Sequence, residues 1–133
     1  MKTALLVLLA AFSAGNTGDE ATASAGVDFS VQLDHSKVRH GNPGDFDPEK
    51  GHRVSTVRSK EVYQAIPAYQ TIVKEKVLQG TARYTKLMKE ATRNFRKALK
   101  VAAGQGSFVL IVEEGGITGY PTTDLTTEII QAL

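Results

Sequence analysis

The chain has 133 residues, a formal net charge of +2 and 41% hydrophobic residues, which is enough for one domain with a packed core. It contains no cysteine, and this excludes disulfide frameworks, thiolate nucleophiles and zinc–thiolate sites.

The N-terminal segment has the pattern of a secretory signal peptide. Lys2 supplies a positive charge, and the apolar run from Ala4 to Phe12 is too short to span a bilayer. We therefore predict a signal peptide over residues 1–14 and a soluble mature protein that is periplasmic or secreted. Residues 15–26 are small and polar and are predicted to form a disordered linker.

Residues 27–52 are predicted to extend the N-terminus of a single domain that covers residues 27–133. The stretch VDFSVQL, from Val27 to Leu33, alternates apolar and polar residues as a half-buried strand does. Residues 34–52 are rich in Gly, Pro, Asn and Asp and predict a long loop. The short, β-branched stretch from Arg53 to Val57 predicts a strand.

A helical segment with a proline inside it follows this strand. Ser59 is a candidate N-cap, and Val62, Tyr63 and Ile66 form a first apolar face. Pro67 should bend or stop the helix near Ile66, because proline lacks an N–H and clashes with the preceding turn. The apolar pattern then resumes at helical spacing, with a face made of Tyr69, Ile72, Val73 and Val77. Gly80 can end this second segment.

The strongest helical signal begins after Thr81, a second candidate N-cap. Its apolar residues recur every three or four positions over about six turns; they are Tyr84, Leu87, Met88, Ala91, Phe95, Ala98, Leu99 and Ala102. Together with the preceding segment, this helix predicts a helical hairpin that turns at 79–81. The glycines of 104–106 are predicted to break the helix.

The C-terminal segment predicts two further strands and a last helix. The apolar run from Phe108 to Val112 is typical of a buried strand, and ITGY is a short return strand after a Gly–Gly turn. Thr123 or Asp124 is the candidate cap of the last helix, whose buried side is Leu125, Ile129, Ile130 and Leu133. The order of elements indicates an α+β fold, with a small sheet, a protruding or packed helical hairpin and a C-terminal helix.

The third helical segment carries most of the charge asymmetry. From Thr81 to Lys100 there are seven basic residues and one acidic residue, Glu90, so its net charge is +6. A basic helix attracts phosphates, anionic lipids or acidic protein surfaces, although it can also be an ordinary solvated face. We predict a protein-binding site, with contact to a membrane surface as a possibility, made of Arg83, Lys86, Lys89, Arg93, Arg96 and Lys97.

Nucleic acid is not expected as a partner, because no aromatic residue lies between the cations of the polar face to stack on bases. Tyr84, Leu87, Met88 and Phe95 are predicted to pack the hairpin against the preceding segment.

No catalytic constellation stands out in the sequence, and no enzymatic activity, cofactor or metal site is predicted. The G-x-S-x-G elbow is absent, and neighbouring Glu113 and Glu114 should point to opposite faces of a strand. The alternative is a small secreted metal-binding protein or enzyme that uses the His/Asp-rich loop 34–52. Its candidate oxygen and nitrogen ligands are His35, His40, Asp45, Asp47, Glu49 and His52.

The C-terminal part of the chain carries a longer pattern over residues 53–133. It consists of VSTVRSKEVYQAIPAY, the basic hairpin and the closing stretch SFVLIVEEGGITGYPTTDLTTEIIQAL, after a signal peptide at the N-terminus. This pattern resembles the OmpH/Skp family of periplasmic chaperones. In that family a strand leads into two long helices, and an apolar strand, a return strand and a helix close the chain.

The resemblance implies a homo-oligomer, a trimer, whose strands form a small β-barrel body. It also implies that the helical hairpins project as arms and hold unfolded or other envelope proteins. The predicted arms here are only about 30 Å long, shorter than those of the family, and the extension over residues 27–52 has no counterpart in it.

Overall fold

Residues 30–133 are described in the computed structural model. The predicted signal peptide, the linker and the first residues of the VDFSVQL strand lie outside this part of the chain. The strands are β1 (Gln32–Leu33), β2 (Val38–His40), β3 (Arg53–Val57), β4 (Phe108–Glu113), β5 (Ile117–Thr118) and β6 (Thr123–Asp124). The helices are α1 (Ser59–Gln64), α2 (Pro67–Lys74), α3 (Ala82–Gly106) and α4 (Thr126–Gln131). Helices and a small mixed sheet occur together, which confirms the predicted α+β class.

A four-stranded sheet of order β2–β4–β3–β6 organises the fold. Strand β4 pairs in parallel with β3, which in turn pairs in parallel with β6, whereas β2 is antiparallel to β4. Adjacent parallel strands need a crossover connection, and α1, α2 and α3 together form the crossover from β3 to β4. As a result, the carboxyl ends of β3, β4 and β6 meet at one edge of the sheet.

The main core lies between one face of this sheet and the helices. It consists of Val57, Val62, Ile66, Ala68, Ala91, Phe95, Ala98, Leu99, Ala102, Ala103, Phe108, Ile111, Leu125 and Ile129. Strand β4 is also buried on its other face, through Leu110 and Val112, as expected for a central strand. On that face the backbone approaches closely at Gly116, where a Cβ would fall 2.5 Å from Cγ1 of Val112.

Pro67 divides the first helical stretch in two, as predicted. Helix α1 ends at Gln64, and Pro67 is the first residue of α2, where its missing N–H costs nothing. The predicted cap at Ser59 is wrong, because Arg58 occupies the cap position and Ser59 is already helical. The N–H and hydroxyl of Ser59 instead donate hydrogen bonds to the carboxylate of Glu113.

The second segment is shorter than predicted. Helix α2 ends at Lys74, and Gly80 lies in the connection to α3 with a positive φ of 93°. Ile72 is buried, as expected for the side that packs on α3, but Val73 is 61% exposed. The apolar face of the eight-residue helix α2 is therefore narrower than predicted. It includes Ile72, which faces α3, but not Val73, which faces solvent.

Helix α3 is longer than predicted. The hydroxyl of Thr81 accepts a hydrogen bond from the N–H of Tyr84 at 3.2 Å, so the predicted cap is confirmed. The predicted break over 104–106 falls at the last of these residues, because the helix includes Gly104 and ends at Gly106, before the C-cap Ser107, whose φ is +56°. A glycine inside a helix costs only about 1 kcal/mol, and the burial of the preceding turn on the sheet outweighs that cost.

Residues 34–52, predicted to be a loop, contain strand β2 and three single 3-10 turns. Strand β2 places Val38 opposite Val112 of β4. The turns are His35–Lys37, Pro43–Asp45 and Pro48–Lys50, and their caps are the side chains of Asp34, Asn42 and Asp47.

The C-terminal segment also differs from expectation. Strand β5 is not part of the four-stranded sheet, and the added strand β6 pairs with β3 instead. The predicted cap of α4 at Thr123 or Asp124 is wrong, because Leu125 occupies the cap position, although the carboxylate of Asp124 accepts the N–H of Thr126, the first helical residue, at 2.9 Å. Leu133, predicted to be buried, is 42% exposed. None of the helices within residues 30–133 has the length and hydrophobicity needed to cross a bilayer.

Candidate functional site

The two halves of helix α3 differ in how much of their surface is buried against the rest of the protein. It contains 25 residues and is about 37 Å long at about 1.5 Å per residue. All of its buried residues lie in the C-terminal part, from Ala91 to Ala103. In residues 82–90 no side chain is fully buried, and only Tyr84, Leu87 and Met88 are half-buried. The N-terminal half of the helix therefore presents more of its surface to solvent than the half that packs on the sheet.

Six exposed cations line the side of α3 that is opposite the core. They are Lys86, Lys89, Arg93, Arg96, Lys97 and Lys100, and we call them the basic face. At about 100° per residue, they fall within an arc of about 100°. The ion pairs found within residues 30–133 involve Arg39, Arg58 and Arg83, and none involves the basic face. Within residues 30–133, none of these six cations has an ion-pair partner.

The structure brings five of the six predicted binding residues together on this face. Arg83 is the exception, because it forms an ion pair with Glu75 of the α2–α3 connection. Lys100 belongs to the face but was not among the predicted binding residues. Its position four residues after Arg96 continues the same helical spacing and would have identified it.

Lys100 also marks where the basic face meets the sheet. His40 of strand β2 is partly buried, and this burial, followed by the charge of Lys100, lowers the pKa of His40. The basic face therefore runs from the α2–α3 connection to the edge strand of the sheet.

An open groove of about 570 Å³ lies along one side of the basic face. It is lined by Tyr84, Thr85, Met88, Lys89, Thr92, Arg93 and Arg96. A second groove of about 450 Å³ surrounds the start of the helix and shares Thr85, Lys89 and Arg93 with the first. The two grooves are thus continuous, and their shared wall carries two cations of the basic face.

Tyr84 and Met88 were predicted to pack the hairpin, but both line the open groove. Phe95 is buried as predicted, and its ring lies 4.8 Å from that of Tyr63 in α1. The hydroxyls of Tyr63 and Thr92 are 3.1 Å apart and hydrogen-bonded. These contacts fix the wall of the groove to α1.

A second polar cluster forms where the parallel strands end. Glu113 accepts hydrogen bonds from the N–H of Ser59 at 3.0 Å and from Nε of Arg39 at 3.1 Å. Partial burial raises the pKa of Glu113, but the hydrogen bonds from Ser59 and Arg39 together outweigh it, so the pKa lies below its ordinary value. Glu113 therefore acts as the N-terminal cap that α1 lacks.

Arg58 connects the remaining carboxylates of this edge. It contacts Glu61 and Asp124 at 2.6 Å each and Glu114 at 3.5 Å, and the bonds to Glu61 and then Asp124 raise its pKa. Burial raises the pKa of Asp124, but the amide and hydroxyl of Thr126, with Arg58, lower it overall. Glu113 and Glu114 have separate partners, as their positions on a strand predict, and the cluster holds helices to the sheet.

Two of the candidate ligands of residues 34–52, Asp47 and His52, make structural contacts instead. The Asp47 carboxylate accepts the N–H of Glu49 at 2.9 Å, and its own N–H donates to Nδ1 of His52 at 3.0 Å. Within residues 30–133, no three His, Asp or Glu side chains lie close enough together to hold a metal ion.

Comparisons with family models, with curated proteins and with solved structures each found no match to this chain. What the site does is therefore inferred from its own geometry and charge.

Proposed function

We propose that the protein binds acidic segments of other polypeptides through the basic face of α3. The observation that carries this proposal is the set of six exposed cations on one side of the helix, none of them in an ion pair within residues 30–133. One exposed charge pair contributes only about 0–1 kcal/mol. Several such pairs along one helix face nevertheless add attraction and speed the encounter with an acidic partner.

Acidic protein fits the basic face better than nucleic acid or a lipid surface does. The six side chains of the face include no aromatic ring to stack on bases. The apolar side chains beside the face, Tyr84 and Met88, line a groove and do not project from the surface as groups that insert below lipid headgroups do. Carboxylates need neither of these features, because Lys and Arg pair with them directly.

The resemblance to the OmpH/Skp chaperones leads to the same kind of activity. On that reading, the chain is exported, forms a trimer and holds unfolded envelope proteins between its helical hairpins. Helix α3 with α2 is the counterpart of an arm, although α2 has only eight residues.

The experiment compares two variants that change the charge equally. The variant Lys89→Glu/Arg93→Glu/Arg96→Glu reverses three cations of the basic face. The matched control Lys37→Glu/Lys50→Glu/Lys60→Glu reverses three exposed cations elsewhere that form no ion pair within the described part of the chain. Fluorescence anisotropy measures binding of a dye-labelled peptide made of glutamate and serine.

We expect the first variant to lose at least about tenfold in affinity and the control to change by less than about threefold. Raising the salt concentration should weaken binding of the unmodified protein, because exposed charges are screened. Equal losses in both variants would show that net charge alone attracts the peptide, and would contradict the proposal. Sedimentation of the same samples reports the oligomeric state, where a monomer would contradict the trimer.

A further inference from the structure

The groove beside the basic face points to a narrower class of partner, and this inference rests on the proposed function. We propose that the bound segment is amphipathic. Its apolar side chains enter the groove against Tyr84 and Met88, and its carboxylates pair with the cations at the rim.

The apolar side of the groove continues a stripe that the core covers further along α3. Met88 and Leu99 are eleven residues apart, so they point in directions that differ by only about 20°. Leu99 is 1% exposed and belongs to the main core. Met88 lies closer to the start of the helix, where no residue is fully buried, and it lines the open groove. The same helical stripe is therefore covered at one end and open at the other.

The two sides of the groove differ in chemistry. Lys89, Arg93 and Arg96 form one rim, and Tyr84 and Met88 lie on the other side. A purely acidic segment would leave the aromatic ring and the thioether in water, whereas a purely apolar segment would leave the cations unpaired. An amphipathic acidic segment satisfies both sides at once. The aliphatic stems of Lys89 and Arg96 would also cover its apolar residues, since such stems pack along apolar surfaces.

Met88 and Thr92 each have a property that suits a site for peptides of different sequence. Methionine is unbranched and polarizable, and it adapts to apolar groups of different shape. Thr92, which also lines the groove, is held in place by its hydrogen bond to Tyr63. We therefore expect selection for an amphipathic pattern rather than for one sequence.

The experiment uses two dye-labelled peptides of equal length and equal charge. The polar peptide contains glutamate and serine, and the amphipathic peptide has leucine in place of serine at every third or fourth position. We expect the unmodified protein to bind the amphipathic peptide at least about tenfold more tightly. Met88→Ser should abolish this preference, because the apolar side chains of the amphipathic peptide lose their partner in the groove.

Val73→Ser is the matched control, because Val73 is an apolar helical residue that is 61% exposed and lies outside the groove. It should keep the full preference. Thr85→Arg is a second test that does not depend on the packing of Met88, since Thr85 is exposed. The new side chain fills the groove while adding a cation, so the preference should disappear although the polar peptide still binds.

The outcomes separate the two proposals. Equal affinity of the unmodified protein for both peptides would overturn the amphipathic inference and leave the basic face as the binding site. Binding of neither peptide would overturn both proposals. Preferential binding to vesicles of anionic phospholipid, with no binding of either peptide, would also overturn both and would assign the face to a membrane surface.

Discussion

Glu113 joins three elements of the fold through a single carboxylate. It lies at the end of β4, accepts the N–H of Ser59 at the start of α1, and pairs with Arg39 of β2. The cap residue of α1 makes no side-chain hydrogen bond of its own, so the first turn of that helix depends on a carboxylate from a distant strand. Such a bond is stronger than a neutral one because its acceptor is charged.

Glu113→Gln should therefore destabilise the protein by about 1–3 kcal/mol near neutral pH. Because folding lowers the pKa of Glu113, its contribution to the free energy of unfolding is present above the ordinary carboxyl pKa of about 4.3. The contribution disappears as the pH falls through the lowered folded-state pKa. Urea unfolding at pH about 7 and about 3 should show a smaller difference between the two proteins at the lower pH.

Glu114→Gln is the matched control for this prediction. The Glu114 side chain is 60% exposed, and its ion pair with Arg58 is long, at 3.5 Å. Exposed pairs of this kind contribute little, so the change should stay within about 0.5 kcal/mol. If the two variants were equally destabilised, Glu113 would not be the cap of α1.

The positions of the cations of the site were predicted from the sequence more reliably than the exposure of Met88 on the apolar side of the groove. Lys89, Arg93 and Arg96 follow helical spacing, so their common side of α3 follows from the sequence. Met88 follows helical spacing as well, but spacing gives only the direction of a side chain. Whether Met88 is covered depends on where the neighbouring elements end, and a single helix contains no information on that point.

Helix α3 is the element whose length matters most for the site. Its periodicity predicted the apolar stripe and the cap at Thr81, but the three residues Gly104–Gly106 were expected to end it. The helix instead continues through Gly104 and ends only at Gly106, because the preceding turn, with Ala102 and Ala103, is buried in the core. Packing of this kind outweighs the intrinsic preference of single residues.

The position of the helix end leads to a prediction about its glycines. A Cβ at Gly104 would meet no atom within 4 Å, and the residue is helical, so Gly104→Ala should stabilise the protein by up to about 1 kcal/mol. Thermal unfolding followed by circular dichroism measures the effect. No stabilisation, or a loss, would mean that α3 ends before Gly104 in solution.

Gly106→Ala provides the opposite case within the same helix. A Cβ at Gly106 would lie 2.2 Å from Cε2 of Phe108, which is closer than atoms can approach. The ring of Phe108 is part of the main core, so relieving the clash must disturb packing there. We expect a loss of stability of about 1–3 kcal/mol, which contrasts with the gain at Gly104.

Two of the short strands, β2 and β6, were not predicted from the sequence. Strands β2 and β6 have three and two residues, and a period of two residues cannot be recognised over so few positions. Both strands exist because they pair with longer neighbours, β4 and β3. Their formation is a tertiary effect, whereas β3 and β4 were predicted from their own β-branched and apolar residues.

In the molecule as a whole, the parallel pairing of β3 with β4 determines the positions of the helices that connect these two strands. The register places Val54 beside Leu110 and Thr56 beside Val112, across a crossover of three helices. The helical hairpin was predicted either to protrude from the domain or to pack on it. In the structure, the second half of α3 packs on the sheet. The first half of α3 is left with the basic face and the groove.

This division of α3 predicts unequal stability along one helix. Local opening is easier where few apolar side chains are buried, so residues 82–90 should exchange amide hydrogens at least about tenfold faster, relative to intrinsic rates, than Ala91–Ala103. Strand β4 should exchange most slowly, because it is central in the sheet and buried on both faces. Hydrogen exchange followed by mass spectrometry or NMR measures all three regions in one sample.

Adding the amphipathic acidic peptide should slow exchange in residues 82–90 and leave β4 unchanged, because the peptide covers only the open half of the helix. The unbound protein also tests the description of the site. If residues 82–90 were already protected as well as β4 without any partner, their exposed side would be covered by something else, such as another copy of the chain. The basic face would then be an internal contact surface of an assembly and not a free binding site for acidic segments.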